Sequence, residues 1–368
     1  MVRRDYNNCN ACHADPSGGG LLNEYGRYQS ANMLSTRYGP ADQEPGKFKD
    51  AFFGLVPLPE TLLVGGFFRG GYIWNTRDGK LADKRYLAMQ ADLQGQLTLG
   101  AFRVNASIGV APTSSAAYSQ RANVTSRTDG LNLVSREHWA GVDLAEQTIL
   151  LRAGRINLPF GLRNVEHTSW VRSETRTDYN QGQQHGVAFA FNDGTFRTEV
   201  MGIAGNFQIQ PDAYRERGYA GYFEWGIDPR HTIGVNSLVT YADSDLLLRV
   251  KKNVRQAHGL FTRLALIREV VVMAEANLLF QSPTGRPSTS GYVGFLQADV
   301  EPIQGVHVMA TGEVLDRGGT GSTTLLGGWL SAAWFFLPHF DIRFDTIRRG
   351  TSGQPATMTY LAQLHMYL

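Results

Sequence analysis

The sequence has little cysteine and no long hydrophobic run. Only two of its 368 residues are cysteine, so at most one disulfide could form. No stretch approaches the roughly 18 consecutive apolar residues that a membrane-spanning helix needs. Charged residues make up 18% of the chain, and the formal net charge is +2, which is not the basic excess typical of nucleic-acid-binding proteins. These absences exclude a disulfide-rich scaffold and a helical membrane protein, and we expect no nucleic-acid partner.

Signatures of common enzymes and of export are also missing. The sequence contains neither the G-x-S-x-G pattern of many hydrolases nor the P-loop of nucleotide-binding proteins. Residues 1–6 are polar, and no apolar core of a secretory signal follows them. The cysteine motif described next is chemically modified only outside the cytoplasm. We therefore expect that a signal peptide has been removed.

Both cysteines lie in one pentapeptide, Cys9-Asn10-Ala11-Cys12-His13. It matches C-x-x-C-H, the attachment signature of a c-type haem, in which the two thiols take the vinyl groups of the porphyrin and the histidine binds the iron. A thioredoxin-like motif would need a βαβ context, and half of a zinc site would need a fourth ligand nearby. The pattern therefore predicts one covalent haem c, attached through Cys9 and Cys12, with His13 as the proximal iron ligand.

The second axial ligand of the iron has several candidates. Met33 is the only methionine after His13 in the N-terminal part of the chain, and a methionine ligand would raise the reduction potential. Methionine is also a common filler of apolar gaps. His307 and His365 are the alternatives, and an open coordination position is a further one.

From about residue 60 the apolar residues recur with a period of two. Between residues 87 and 99, for example, Leu93 and Leu97 alternate with Asp92, Gln94 and Gln96. Strands of soluble sandwiches usually have five or six residues, whereas these runs have about ten, which is the length that a tilted strand needs to cross a bilayer. The pattern is therefore typical of a transmembrane β-barrel, whose lipid-facing and lumen-facing residues alternate.

The connections between these runs support the same fold. About sixteen strands can be placed, and short turns alternate with long polar connections, as in outer-membrane barrels. The long connections are predicted near residues 76–84, 112–135, 159–184, 210–216, 244–255, 282–289, 317–324 and 350–356. This topology predicts an all-β protein of the bacterial outer membrane with both termini in the periplasm.

The remaining N-terminal residues fall outside the strand pattern. We expect residues 1–59 to form a monohaem cytochrome c-like plug, with one short helix in 21–37, and residues 60–368 to form a porin-like barrel. The inward positions carry charges of both signs, which would suit a plug held by ion pairs. Aromatic residues near the strand ends predict girdles at the membrane interfaces, and they are Tyr72, Trp74, Phe223, Trp225, Trp329, Trp334 and Phe335.

A C-x-x-C-H motif at the start of a barrel resembles the fused monohaem outer-membrane cytochrome–porins of iron-oxidising bacteria. The residues that carry the resemblance are Cys9, Cys12 and His13, together with the architecture behind them. The resemblance implies electron transfer from an extracellular donor, often Fe(II), to periplasmic cytochromes or other carriers. An iron-oxidase activity would follow from it.

Two other classes of function stay open at this stage. One is a diffusion porin whose haem-bearing segment acts as a plug or as a redox gate. The other is a soluble or anchored β-protein that uses the C-x-x-C-H motif to bind a metal.

Overall fold

The structure, a computed structural model, describes residues 2–36, 56–77, 80–112, 131–163, 168–179, 182–351 and 356–367. Strands dominate these residues, because an alternating pattern can place apolar side chains on one face of a sheet and polar side chains on the other. The strands are β1 (Leu62–Arg77), β2 (Lys80–Leu99), β3 (Phe102–Pro112), β4 (Leu131–Val134), β5 (His138–Leu144), β6 (Ile149–Ile156), β7 (Gln184–Asn192), β8 (Phe196–Gly205), β9 (Arg217–Asp228), β10 (His231–Ser244), β11 (Lys251–Ile267), β12 (Val270–Ser282), β13 (Thr289–Ile303), β14 (Val306–Asp316), β15 (Leu325–Leu337), β16 (Phe340–Thr351) and β17 (Thr357–Tyr367).

The strands form one closed antiparallel sheet. β1 pairs with β2 and also with β17, in a register that runs from Phe67 opposite Tyr367 to Arg77 opposite Thr357. β4 and β5 both pair with β3, so they are two parts of one strand interrupted at residues 135–137. The 17 strand segments are therefore 16 strands of a barrel, which confirms the predicted fold.

The two faces of the sheet differ as the sequence predicts. On β2, Gln94 and Gln96 are buried inside the barrel, whereas Leu93 and Leu97 are exposed on its outer surface. Large apolar side chains are exposed on other strands as well, for example Val187, Leu260 and Leu330. An apolar outer surface of this kind is stable in contact with lipid rather than water.

The connections differ at the two ends of the barrel. Seven turns of four residues or fewer lie at one end, which we call the turn end, and β1 starts and β17 finishes there. Most connections at the opposite end, the loop end, are longer. The predicted long connection at 76–84 is wrong, because β1 and β2 pair as far as Arg77 and Lys80. Exposed polar residues such as Lys84 and Arg85 extend these strands past the apolar band without ending their backbone pairing.

The connection between β6 and β7 folds back into the barrel. We call its described residues, 157–163, 168–179 and 182–183, the inward loop, which contains the helix α2 (Trp170–Thr175). The backbone N–H of Trp170 donates to Glu313 of the wall at 2.8 Å, and Arg172 pairs with Glu275. Trp329 is not part of an aromatic girdle, because it is buried in the lumen and its Nε1–H donates to Glu313 at 2.6 Å.

The N-terminal segment, residues 2–36, also lies in the lumen. It has a 3-10 turn (Val2–Arg4), the helix α1 (Glu24–Gln29) and a π-helical turn (Ser30–Leu34), so the predicted short helix is present. Its side chains and backbone bond to strands β1, β6, β7, β9, β11, β13, β15 and β17. These contacts lie all around the wall, so the segment crosses the lumen. No helix in the described ranges is both long and apolar enough to cross a membrane.

Candidate haem attachment site

The C-x-x-C-H motif forms one tight helical turn. The backbone N–H groups of Cys12 and His13 both donate to the carbonyl of Cys9, at 3.2 and 3.0 Å. The two cysteines and the histidine therefore lie within one turn of the backbone. Both cysteines are free thiols.

A short hairpin follows the motif. The N–H of Ala14 donates to the carbonyl of Leu21 at 2.9 Å, and His13 is bridged to Leu22. The loop of this hairpin ends in three glycines with positive φ, at 88°, 81° and 61°, a conformation that other residues rarely adopt. A Cβ on Gly18 would lie 3.1 Å from the Sγ of Cys9, so the loop packs closely against the first thiol.

Asn23 joins the motif to α1. Its Nδ2 donates to the carbonyl of Ala11 at 3.0 Å, and its backbone N–H donates to the carbonyl of Cys12 at 3.0 Å. Its Oδ1 accepts from the N–H of Gly26 at 2.7 Å, which caps the start of the helix. One side chain therefore fixes both the motif and the helix that packs against it.

Two guanidinium groups lie beside Cys9. The Nη1 of Arg263 is 3.8 Å from its Sγ, and Arg197 lies on the same side. Burial alone would raise the pKa of Cys9, but these two cations outweigh it and lower the pKa. Both arginines pair with the single carboxylate of Glu224, so one positive charge is left in excess next to the first thiol.

His13 is enclosed on the other side of the turn. Burial lowers its pKa, while the negative charge of Asp15 and the backbone of Gly20 and Gly19 act in the opposite direction. Within the described part of the chain, its Nδ1 has no hydrogen-bond partner. The wall at this level includes Gln94 of β2, and Tyr179 of the inward loop lies against the glycines. His13 therefore sits between the turn end and the inward loop.

The residues present fit the donor set that haem c requires. Two unpaired thiols and an imidazole lie within one turn of the backbone, and the Nδ1 of that imidazole has no hydrogen-bond partner among the described residues. In a ligating histidine, that nitrogen usually donates to an acceptor of the protein while the other binds the metal. Across the described residues, no three His, Cys, Asp or Glu side chains converge on one point where they could hold a metal ion.

Of the candidate distal ligands, one lies in the N-terminal segment and two lie on wall strands. Met33 is in the π-helical turn at the turn end, where the carbonyl of its neighbour Asn32 accepts from Gln304 at 2.8 Å. His307 of β14 is bonded through Nδ1 to Asp299 at 3.0 Å. His365 of β17 is bonded through Nδ1 to Asp341 at 3.0 Å. The contacts described for His13 include none of these three side chains, so the distal ligand stays a prediction.

The two thiols and His13 are visible as a motif in the sequence, but the residues that hold them are not. The available signal was the passage Asn23-Glu24-Tyr25-Gly26-Arg27, because an asparagine three residues before a glycine at the start of a helix is a capping pattern. The arginines beside Cys9 come from distant strands, and only the closed barrel brings them to the motif.

Comparison with known proteins identifies the fold. No family model and no curated protein matches this chain. Among solved structures, a loop-deletion form of OmpT, an outer membrane protein of Vibrio cholerae, is similar with a TM-score of 0.64 and 9% identity, over 84% of this chain and 99% of that one. An anion-selective porin from Comamonas acidovorans has a TM-score of 0.58 and 10% identity, over 83% and 99%. The outer membrane channel DcaP of Acinetobacter baumannii has a TM-score of 0.56 and 13% identity, over 83% and 97%.

These similarities establish a porin-like barrel of 16 strands. Together with the apolar outer surface, the fold confirms the predicted location in the bacterial outer membrane and contact with the lipid bilayer.

Proposed function

We propose that this chain is an electron carrier of the outer membrane that holds one haem c inside its barrel. Cys9 and Cys12 would anchor the porphyrin through thioether bonds, and His13 would bind the iron. The observation that carries this proposal is the position of the C-x-x-C-H turn in the lumen, between the inward loop and the turn end. A single haem can contribute to electron transfer across a membrane when it is held inside the protein that spans that membrane.

The topology indicates which electron-transfer partners would meet the haem from each side of the membrane. In outer-membrane barrels the short turns face the periplasm and the long loops face outward. The motif lies on the turn-end side of the inward loop, so periplasmic cytochromes or similar carriers would be the partners on that side. The apolar band is about 25 Å tall, which one haem cannot span alone. An extracellular donor such as Fe(II), or an acceptor, would have to approach through the loop end.

The residues of the chain have distinct roles in this proposal. A bound haem c supplies the gain and loss of one electron at its iron. The wall keeps lipid away from it, and Arg197 and Arg263 place positive charge beside the thiol of Cys9. Positive charge near the iron favours its reduced form, so these arginines would raise the reduction potential.

A diffusion porin with a haem-bearing plug or gate is the second candidate. The fold favours it, because the similar structures include an anion-selective porin. The N-terminal segment opposes it, because hydrogen bonds and ion pairs join that segment to strands all around the wall. A conductance measurement in planar bilayers separates the two, since a carrier with a fixed plug should pass little current.

The direct test compares the wild-type protein with a Cys9→Ala/Cys12→Ala variant, both expressed together with the machinery for haem attachment. We expect the wild type to retain one haem through denaturing electrophoresis and to gain the corresponding mass, and the variant to retain none. Both proteins are then placed in liposomes that contain an oxidised soluble cytochrome, with an impermeant reductant outside. Reduction of the enclosed cytochrome only with the wild type supports the proposal, and an unstained wild-type band contradicts it.

A further inference from the structure

One acidic residue is held next to His13 with a free oxygen atom. Asp15 is only 4% exposed and follows His13 by two positions. Its Oδ1 accepts from the N–H and the hydroxyl of Ser17, both at 2.8 Å, and from Arg152 at 3.2 Å. Among the described residues, its Oδ2 has no partner, and neither has the Nδ1 of His13. A strong acceptor and a potential donor are thus both buried and unsatisfied within two residues of each other.

The surroundings of Asp15 hold its side chain in place. The guanidinium of Arg152 lies between Asp15 and Glu199, and its side chain is fully buried. Arg163 of the inward loop donates to the hydroxyl of Ser17, which in turn donates to Asp15. Hydrogen bonds from charged donors of this kind fix a carboxylate firmly. The orientation of Asp15 therefore depends on β6 and on the inward loop.

We propose that Asp15 is a positioning residue for the haem ligand, accepting a hydrogen bond through Oδ2 from the Nδ1–H of His13 while Nε2 binds the iron. This inference rests on the proposed function. A carboxylate in that role fixes the tautomer and the ring orientation of a ligating histidine and makes the ring more basic. A more basic ligand stabilises the oxidised iron, so Asp15 lowers the reduction potential of the haem.

The competing acceptor is the protein backbone. The backbone of Gly20 and of Gly19 is also within hydrogen-bonding reach of the His13 ring. A backbone carbonyl would orient the ring without adding a negative charge. The two arrangements differ in their effect on the iron, and this difference makes them distinguishable.

The test uses the haem-loaded protein in detergent and three matched variants. Asp15→Asn removes the charge and weakens the acceptor. Glu199→Gln removes a buried carboxylate that also bonds to Arg152, so it measures the effect of charge alone. Asp5→Asn changes an exposed aspartate of the same segment, which pairs with Arg230 at the turn end. The readouts are the midpoint potential from an optical redox titration and the axial-ligand signature in the electron paramagnetic resonance spectrum of the oxidised protein.

We expect Asp15→Asn to raise the midpoint potential more than Glu199→Gln does and to change the axial-ligand signature, and Asp5→Asn to do neither. Equal rises for Asp15→Asn and Glu199→Gln with an unchanged signature would overturn the inference and assign the backbone as the acceptor. If Asp15→Asn does not fold, the inference is tested on the wild type instead. Infrared difference spectra between its oxidised and reduced forms are then recorded with isotopically labelled aspartate. A carboxylate band that shifts with the iron's redox state supports the inference, and its absence opposes it. A wild type without haem would instead contradict the proposed function itself.

Discussion

Gly26 packs its backbone directly against Cys12. A Cβ at residue 26 would overlap the carbonyl oxygen of Cys12, and the same carbonyl accepts the backbone N–H of Asn23 at 3.0 Å. The helix α1 and the C-x-x-C-H turn therefore form one unit, in which a change of the helix must move the motif.

The first prediction concerns this contact. We expect Gly26→Ala to displace α1 from the motif, because overpacking of this kind costs about 1–3 kcal/mol. The ratio of haem to purified protein should fall well below that of the wild type. Gly312→Ala is the matched control, because no atom lies within 4 Å of a Cβ there. Equal haem content in both variants would show that the packing of α1 does not hold the motif.

The second prediction concerns the charge beside Cys9. We expect Arg263→Gln to lower the midpoint potential of the haem, because a neighbouring cation favours the reduced iron. A partly compensated charge contributes on the order of 1 kcal/mol, which corresponds to about 40 mV for one electron. Arg230→Gln is the control, since Arg230 is exposed and pairs with Asp5. A potential that rises, or that both variants shift equally, would argue against the role of Arg263.

The third prediction concerns the hold of the N-terminal segment on the wall. Arg3 pairs with Asp299 and Glu301, and Arg4 also pairs with Glu301. Breaking buried pairs of this kind costs about 3–5 kcal/mol, because the carboxylates lose their partners.

We expect the double variant Arg3→Gln/Arg4→Gln to conduct more ions than the wild type in planar bilayers. The exposed Arg85 at the loop end, changed to Gln, should leave the conductance unchanged. If the double variant conducts no more than the wild type, the remaining contacts of the segment are sufficient to close the lumen.

The fourth prediction concerns acid. Burial alone would raise the pKa of Asp245, but Arg176, the N–H of Leu248 and the side chain of Asn253 outweigh it, so its pKa lies below the ordinary value. A depressed pKa means that the pairing with Arg176 stabilises the inward loop at neutral pH. This contribution is complete above about pH 4 and is lost as the pH falls through the lowered pKa.

We expect hydrogen exchange in residues 168–179 to accelerate below about pH 4, after correction for the intrinsic pH dependence of exchange. Asp245→Asn should produce the same acceleration at pH 7, and the exposed Asp83→Asn should not. Unchanged protection in Asp245→Asn would mean that the other contacts of the inward loop hold it without this pair.

The barrel could be predicted from the sequence because apolar and polar residues alternate within each strand according to whether they face lipid or lumen. Residues such as Leu93 and Gln94 face lipid and lumen in turn, and the period of two is visible without any knowledge of the partner strands. The residue at which a strand ends is harder to predict from the sequence. Lys84 and Arg85 are polar and would suit a loop, but they continue a ladder that extends beyond the membrane.

The C-x-x-C-H motif is visible in the sequence because its three donors are adjacent, and its role in haem attachment stays a prediction. The surroundings of the motif are not visible in the sequence, because they depend on where distant strands meet. Arg152 and Glu199 are 47 residues apart, and they come together with Asp15 only when the barrel closes around the segment. Trp329 shows a related limit. Its place near a strand end suggested a girdle, but its side chain points into the lumen, where it donates to Glu313 on the same face of the neighbouring strand β14.

The enclosure of Cys12 and His13 also has a consequence for the order of biosynthesis. Both residues are covered by the barrel wall, the inward loop and α1. An enzyme that joins a porphyrin to these thiols needs access to an open chain. Under the proposed function, attachment must therefore come first, and the sixteen strands must close around a segment that already carries haem. The insertion machinery of the outer membrane would then receive a partly folded precursor with haem already bound.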